Sequence, residues 1–592
     1  MSKKKTEEKK EFVPSKYQSA IFDFIQHGEG NVVVEAAAGS GKSCTIIKCL
    51  ELIKPEDKVL VTAFNKDIVE ELKKKISQPN VDVKTLHGLG LKMLNSNFYK
   101  SIDPKPNGFK YQSYIYNNIH TLSDCEYDEL NYKKRRQYLD NIIQLVEFGR
   151  YYLCTSVKDL EFVEERYGIC TYSNEKEVAL KVMDWGKNNI DTIDFTDMIW
   201  LPNELKLKPI GLIYDWIFVD ECQDLQKAER ELLLRCRKMS TRMACFGEGI
   251  QAINAFMGSD ADSFKELRKL PNTISLPLSI SYRCAENIVK YANQWNPTME
   301  SSGDGRMGQV LFDVPLDNVK DGDMIVCRTN APLLQIYCKL VLLGKKCFIR
   351  GKDIGANLKK LVEGTKEKKL NISLREKGVF SKLYDKLFDS IDDVMKKYHI
   401  TFDMALEDMT IEEKLDTIEA LEAIATGLHT SDELTERISS VFSDKKSGGI
   451  SLSTIHKAKG LEADNVYVAC PSLFDEVHCK HDWEKQQEFN LEYVAYTRAK
   501  NTLGFLSETN INKHFSNGMN IKEVREAVFK LYGRDKRCDV VIPTVGAARD
   551  IMSNATSITR EPINMKTITP NTRTSKQSLK AIANKKQKKK KK

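Results

Sequence analysis

The stretch that most restricts what this chain can fold into is Asn31–Ser43. An apolar, β-branched run, Asn31–Ala38, passes into Ala36-Ala-Ala-Gly39-Ser-Gly41-Lys42-Ser43, and an amphipathic segment, Cys44–Ile53, follows. Strand, glycine-bearing turn and helix in that order form the signature of a phosphate-binding loop. The glycines let the backbone wrap an anion closely, and the helix N-terminus adds free N–H groups and positive potential. In such a loop Lys42 pairs with the β- and γ-phosphates of a nucleotide and Ser43 ligates Mg²⁺, while Ala38, Gly39, Ser40 and Gly41 form the wall. Ala36 stands where the general pattern has its first glycine.

The rest of the chain agrees with the parallel α/β sheet that such a loop requires. Lys58–Phe64 and Asp67–Ile76 repeat the strand–helix unit, and Trp216–Asp220 and Met243–Gly247 read as further strands. Strand-like runs return at Thr273–Leu278, Met324–Cys327, Cys347–Arg350, Ile450–Ile455, Val466–Cys470 and Thr502–Leu506. Two charged stretches with helical periodicity interrupt this pattern, from about Met93 to Ile190 and between Gly351 and Gly448. From about Thr544 the chain is rich in Thr, Asn, Ser and Lys and poor in aromatics, the composition of a disordered tail.

Charge is unevenly spread. The net of +8 arises because residues 560–592 hold twelve Lys or Arg against one Glu, which leaves the body at −3. The body is therefore no basic glove, and any nucleic-acid contact there needs a local groove. The tail suits a solvated end, a salt-sensitive DNA tether or a nuclear-import signal. No apolar run approaches the roughly 20 residues of a membrane span, and Met1–Glu11 lacks the apolar core of a secretory signal. An intracellular protein, in cytoplasm or nucleus, is expected. Its 15 cysteines include no CxxC pair and read as reduced thiols. His478-Cys479-Lys480-His481 is the one metal-like cluster, and a solvated loop suits it better because no second ligand pair is near.

A second chemical element lies at the end of the run Trp216–Asp220, in Val219-Asp220-Glu221-Cys222-Gln223-Asp224. Adjacent acids at the end of an apolar strand need compensation, since burying charge is costly. Downstream of a P-loop, Asp220 is placed to hold Mg²⁺ through water, and Glu221 to orient and deprotonate the attacking water.

The remaining segments resemble, in order, the motifs of superfamily 1 helicases, closest to the UvrD/Rep/PcrA group and its F-box DNA helicase relatives. The resemblance covers residues from about 14 to 510. Pro14-Ser-Lys-Tyr-Gln18 is similar to the Q motif, which implies that Gln18 reads the adenine edge. Thr62-Ala63-Phe64-Asn65-Lys66 and Thr85-Leu-His87-Gly88 resemble motifs Ia and Ib, placing Phe64, Asn65, Thr85 and His87 on a single-strand track. Asp194-Phe195-Thr196-Asp197 resembles the DFxDL-type element. Gly247-Glu248-Gly249-Ile250-Gln251 with Ala255-Phe256-Met257-Gly258 resembles motif III, which implies that Gln251 senses the γ-phosphate and Phe256 stacks on a base. Ser281-Tyr282-Arg283 resembles motif IV, with Tyr282 on the adenine face and Arg283 on the γ-phosphate. Cys327-Arg328-Thr-Asn330 resembles motif IVa, which implies that Arg328 also lies on the nucleic-acid track. Ser453-Thr454-Ile-His456-Lys-Ala-Lys459-Gly460-Leu461-Glu462 is similar to motif V, with Thr454 and His456 on the track and Glu462 at the ribose. Tyr493-Val494-Ala495-Tyr496-Thr497-Arg498-Ala499 resembles motif VI, whose arginine is a finger. Glu248 replaces the usual aspartate of motif III, Met257 a common arginine, and Ala63 a common aromatic. These departures bear on how hydrolysis couples to the DNA grip.

The resemblance implies an α/β architecture of two RecA-like P-loop motor lobes, each with a mostly helical accessory insertion. The first lobe spans 1–92 and 191–279, with its insertion at 93–190. The second spans 280–350 and 448–543, with a short insertion at 351–447, and the basic tail occupies 544–592. ATP and Mg²⁺ are the expected cofactors, and single-stranded and duplex DNA the expected partners, with 3′→5′ polarity. Other readings are a superfamily 1 motor of opposite polarity or on RNA, and an ATP-dependent scaffold that unwinds nothing. No acid cluster with nuclease spacing follows motif VI.

Overall fold

The computed structural model describes residues 12–63, 66–98, 105–130, 132–253, 258, 263–370, 377–398, 414, 417–418, 421–422, 424–425, 427–442, 448–474 and 482–507. The expectations for Phe64, Asn65, Phe256, Met257, the His478–His481 cluster and the basic tail lie outside these residues.

Two parallel sheets organise the described residues. The first contains β1 (Asn31–Ala36), β2 (Val59–Thr62), β3 (Val81–Lys84), β4 (Tyr214–Val219), β5 (Arg237–Gly247) and β6 (Thr273–Leu278). Its spatial order is β3-β2-β4-β5-β1-β6, and every pairing is parallel. A short parallel pair, β7 (Ile280–Ser281) and β8 (Glu300–Ser301), follows. The second large sheet contains β9 (Gln309–Val314), β10 (Met324–Cys327), β11 (Cys347–Ile349), β12 (Ile450–Thr454), β13 (Ala463–Ala469) and β14 (Ala499–Leu506). Its order is β11-β12-β10-β13-β14-β9, again parallel throughout.

Both sheets are covered on both faces, which explains why their central strands read as unbroken apolar runs. Val32 and Val34 of β1 enter one core cluster with Val59, Val61, Trp216 and Phe218. Val33, on the opposite face, joins Leu60, Ile217, Val219 and Met243 in another. In the second sheet Ile325, Cys327 and Leu452 face one cluster, while Met324, Val326, Val466 and Val468 face the other.

The two helical insertions are built differently. The helix Leu86–Asn97 leads out of the first sheet, and the helices Lys110–Leu122, Tyr132–Tyr151, Val157–Tyr167 and Glu175–Asn188 pack around their own core, including Ile115, Tyr138, Ile142 and Val182. The helix Phe195–Glu204 brings the chain back. At this return Lys110 pairs with Asp197 at 2.7 Å, and Arg150 with Asp194 at 2.8 Å and Asp197 at 3.0 Å, all nearly sealed from water. Tyr111 donates to Asp197 at 2.6 Å beneath the Arg150 guanidinium. Balanced charge and complete hydrogen bonding make that burial tolerable. Among its described residues the second insertion shares the core of the sheet: Leu358, Val379, Phe380, Leu387, Leu434 and Ile438 belong to the same cluster as Ile325 and Leu452.

Sequence reading found the central strands to within a few residues. It also found the edge strands β6 and β11, but missed the edge strands β3 and β9, whose burial is partial, and the short pair β7 and β8. Among the described residues, no helix is long and apolar enough to cross a membrane.

Candidate active site

Most of the residues singled out from sequence sit beyond the C-terminal ends of parallel strands, where the crevice of an open α/β sheet forms, while Gln18 lies on the helix Lys16–His27 and Glu462 and Arg498 immediately precede β13 and β14. After β1 the loop turns through Gly39 and Gly41, both left-handed (φ 70° and 81°). Gly39 is doubly constrained, because a Cβ there would lie 2.3 Å from the Arg283 Cβ. Gly41 caps the helix Lys42–Leu50 with no side-chain acceptor, so the first N–H groups stay open to an anion. Ser43 is exposed on that first turn. The Ser40 hydroxyl is buried and finds no partner among the described residues.

Lys42 Nζ lies 2.8 Å from Glu221 Oε1. Burial works to neutralise this ammonium, but Glu221, Asp220 and Glu248 outweigh it and hold the group charged well above the ordinary lysine range. Asp220 and Glu221 end β4 side by side, and the Glu221 N–H donates to Asp220 Oδ1 at 3.0 Å. Burial and the neighbouring Glu221 push the Asp220 carboxyl up. Burial also works against the Glu221 carboxylate, but Lys42 and then Lys459 hold it low. Glu221 carries a left-handed backbone (φ 54°, ψ 41°), an uncommon conformation for a non-glycine residue and one found at functional sites. This donor set fits a Mg²⁺-bound nucleotide: a cation beside Asp220 relieves the crowding of acids, and phosphate oxygens meet Lys42, the open N–H groups and Ser40.

Beyond β5, Glu248 is buried, and that burial pushes its carboxyl up to about 7 against the pull of Lys42. It accepts from Gln251 Nε2 at 2.7 Å and from the Tyr493 hydroxyl. Tyr493 belongs to the helix Asp482–Tyr496 of the second sheet, and its oxygen also accepts the Ala38 N–H at 3.3 Å. Lys459 donates to Asp224 and to the Gln251 carbonyl. Residues 281–283 lie along the loop: Ser281 Oγ donates to the Ala38 carbonyl at 2.7 Å, and the Tyr282 N–H to the Gly39 carbonyl at 2.9 Å. The two sheets therefore meet over the P-loop, and Ala37 and Ala38 share a core cluster with Val326, Val468 and Val494.

Both candidate arginines are on this seam. Arg283 bonds Glu462 Oε2 at 2.7 Å and the Thr497 carbonyl at 3.2 Å. Arg498 is 1% exposed, and its Nε donates to the Val494 carbonyl at 2.9 Å. Burial and then the like charge of Arg283 lower it to about 10, with Glu248 and Glu221 pulling the other way. It stays cationic at neutral pH.

Four assigned residues are committed differently from the sequence expectation. Gln18 is buried: its Oε1 accepts the Ser15 N–H in a capping box, and its Nε2 donates to Thr45. One N–H and one lone pair are left for a base edge. Glu462 is held by Arg283 and Lys500 (2.7 and 2.8 Å) before any ribose arrives. Arg328 makes a bidentate pair with Glu488. Gln251 is 4% exposed, tied to Glu248. Tyr282, in contrast, is 44% exposed, as a ring that stacks on a base must be.

On the candidate track, Thr85 caps the helix Leu86–Asn97, its Oγ1 accepting the Gly88 N–H at 3.1 Å. His87 packs edge-on against Phe195, with centroids 6.1 Å apart, and burial lowers its pKa. From the second sheet come Thr454, 8% exposed, and His456, which burial and then Arg328 lower to about 4. Sequence reading quoted Phe195 but gave it no role, yet its ring is 60% exposed beside His87. Stacking of a base on an aromatic ring is worth roughly 1–3 kcal/mol. Phe195→Ala is therefore expected to weaken single-strand binding about 5- to 150-fold by fluorescence anisotropy, with the melting temperature unchanged.

A phosphate cradle and acid pair on one parallel sheet, faced by arginines from a second, define a tandem RecA-like P-loop architecture. The family model for the UvrD/REP helicase N-terminal domain matches residues 18–272, and that for the UvrD-like helicase C-terminal domain matches 346–510. The chain belongs to the UvrD/Rep-like family of superfamily 1 helicases. It is 24% identical over 509 residues to F-box DNA helicase protein 1 of Schizosaccharomyces pombe, which covers 79% of this chain and 55% of that protein. It is 23% identical over 336 residues to the putative ATP-dependent DNA helicase YjcD of Bacillus subtilis, covering 51% of this chain and 42% of that protein. The chain thus spans about half the length of these relatives.

Proposed function

We propose that this protein is an ATP-hydrolysing DNA helicase that moves along single-stranded DNA in the 3′→5′ direction and displaces the complementary strand. The observation that carries this reading is the Arg283 Cβ set against Gly39, with Lys42 and Glu221 approaching from the other lobe.

In this reading the phosphates of ATP compete with Glu221 for Lys42 and leave the carboxylate free for water. Glu221 takes a proton from that water as its oxygen bonds to the γ-phosphorus and the bond to the β-phosphate oxygen breaks, giving ADP and phosphate. Ser43 and, through water, Asp220 would hold Mg²⁺, which would supply positive charge against the phosphates. Arg283 and Arg498 meet the charge that spreads over the transferring group, and they reach it only with the lobes closed. Gln251, oriented by Glu248, faces the γ-phosphate, while Tyr282 and Gln18 hold the base. Closure and release then alternate the grip of the two lobes on the strand. Thr85, His87 and Phe195 grip it from the first, and Thr454, His456 and Arg328 from the second. The lobes are 1–92 with 191–279, and 280–350 with 448–543, with insertions at 93–190 and 351–447.

The test is ATP turnover with and without single-stranded DNA or RNA, followed by strand displacement on 3′- and 5′-tailed duplexes. Stimulation by DNA and unwinding of the 3′-tailed duplex alone are expected. Stimulation by RNA alone, or unwinding from the 5′ tail, defeats this version.

A further inference from the structure

The helix Asp482–Tyr496 touches more than the nucleotide site. Its first turn carries Trp483, whose indole Nε1 donates to the Arg166 carbonyl at 2.7 Å. The Trp483 ring lies 5.8 Å from that of Tyr167. Arg166 and Tyr167 end the helix Val157–Tyr167 of the first insertion, and Tyr167 stacks on Phe148 at 3.9 Å with the rings 8° from parallel. Phe148 is on the helix Tyr132–Tyr151, whose Tyr151 ring abuts Gly258: a Cβ there would lie 2.3 Å from it. The insertion is therefore fastened both to the helix Asp482–Tyr496 and to the chain just after Gln251.

The other end of the same helix is in the nucleotide site. Tyr493 reaches Glu248 and Ala38, and Arg498 follows one turn on. At 1.5 Å per residue, about 15 Å of helix separates Trp483 from Tyr493. Along that length Glu488 grips Arg328, and Asn490 donates to the Ala252 carbonyl at 2.8 Å. A continuous helix of this length moves nearly as one body, so a change at Tyr493 has to appear at Trp483. There it either carries the insertion along or breaks the indole bond.

We propose that the helix Asp482–Tyr496 is a lever that conveys nucleotide state to the first helical insertion, with Trp483 as the positioning residue at its far end. The lever rests on the reading in which nucleotide closes the two lobes. Coupling through a packed, two-ended element is measured as the change one site imposes on the other.

The experiment is hydrogen–deuterium exchange of the full chain with and without Mg²⁺ and a non-hydrolysable ATP analogue. In the wild-type protein, exchange is expected to change both at residues 36–43 and at residues 157–167. In Trp483→Ala the change at 157–167 is expected to shrink about fivefold or more, while that at 36–43 persists and ATP turnover without DNA is unaltered. Tyr167→Leu, on the other side of the contact, is expected to give the same loss, and the double variant no more than either single one. Trp483→Phe, which keeps the ring and drops the N–H, is expected to lose part of the response and carries the test with Tyr167→Leu should Trp483→Ala not fold. An intact response at 157–167 in the folded variants, or additive losses, overturns the lever. No nucleotide effect at 36–43 in the wild-type protein overturns the functional reading instead, and an effect there with none at 157–167 overturns the lever alone.

Discussion

Arg498→Ala is expected to lower DNA-stimulated ATP turnover by about 10³–10⁵-fold while nucleotide binding survives, the size of effect seen when an arginine finger is lost. The guanidinium is buried, held by the Val494 carbonyl of the preceding helix at 2.9 Å and by the Leu461 carbonyl of the loop before β13 at 3.3 Å. Its charge is felt by Glu248 and Glu221 across the seam. Such a group costs little reorganisation when charge develops on the phosphates, which is how preorganised donors accelerate a reaction. Burial also gives Arg498 a packing role, so the variant needs a control. Arg498→Lys keeps a cation but loses the planar fork that engages the Val494 and Leu461 carbonyls together. Turnover is expected to stay low in Arg498→Lys while its melting temperature returns toward the wild-type value. Steady-state kinetics separate the outcomes: a collapse of kcat with little change in nucleotide affinity supports the finger. A proportionate loss of affinity in both variants would falsify it and assign Arg498 to packing alone.

Lys42→Ala is the second large expectation, a fall in turnover of about 10²–10³-fold or more, comparable with losing one preorganised donor to the reacting group. Here nucleotide affinity is expected to fall as well, because Lys42 meets the bound phosphates before the reaction starts. The geometry adds a second consequence. Asp220, Glu221 and Glu248 all count Lys42 among the charges that favour their ionised forms. Removing it leaves the acid pair buried with less compensation, so the Lys42→Ala protein is expected to be less stable without ligand. Breaking a buried pair from one side typically costs about 3–5 kcal/mol. Denaturant titration reads this directly. Lys42→Met, which fills the space without the charge, distinguishes lost charge from a cavity: equal destabilisation in both variants assigns the effect to charge. A Lys42→Ala protein with wild-type turnover removes the cradle from the chemistry altogether.

The large difference between the two variants is therefore in binding. In the proposed mechanism the arginine acts on charge that appears during the reaction, whereas the lysine acts throughout. Measured side by side, nucleotide affinities of Arg498→Ala and Lys42→Ala separate the two roles even where both lose turnover.

Much of the fold was legible because the central strands are buried on both faces, so their composition alone marks them. Val32–Val34, Leu60, Ile217 and Val326 could hardly belong anywhere else. The edge strands β3 and β9 escaped for the complementary reason: Asp82 and Lys84 lie in one, and exposed Gln309, Phe312 and Asp313 in the other. The edge strands β6 and β11 were legible because they keep more apolar residues, Ile274, Leu276 and Leu278 in one and Phe348 and Ile349 in the other. The insertions were visible as changes of periodicity, yet nothing along the chain distinguished the one with its own core from the one that shares the core of the sheet. That difference depends on which faces meet.

At the site, sequence located the phosphate loop, the acid pair and the arginines, since each is a local pattern with its own chemistry: glycines where the backbone must turn left-handed, acids at a strand end, basic residues in ordered motifs. What sequence could not supply was who holds whom. Glu248 differed from the family pattern by one methylene, and only the packed structure showed its carboxylate between Gln251 and Tyr493. Arg328 and Glu462 read as ligand-binding residues and proved to be engaged by Glu488 and by Arg283 and Lys500. Phe195 lay in a family-like segment that assigned it no role, and Trp483 carried no signal beyond being aromatic. Residue type and spacing fix local conformation, because those depend on neighbours a few positions away. The pairing of Lys42 with Glu221 depends on the strand order that sets β1 near β4 in one sheet, and that of Tyr493 with Glu248 on the folding of two sheets against each other; neither partner is a near neighbour in sequence.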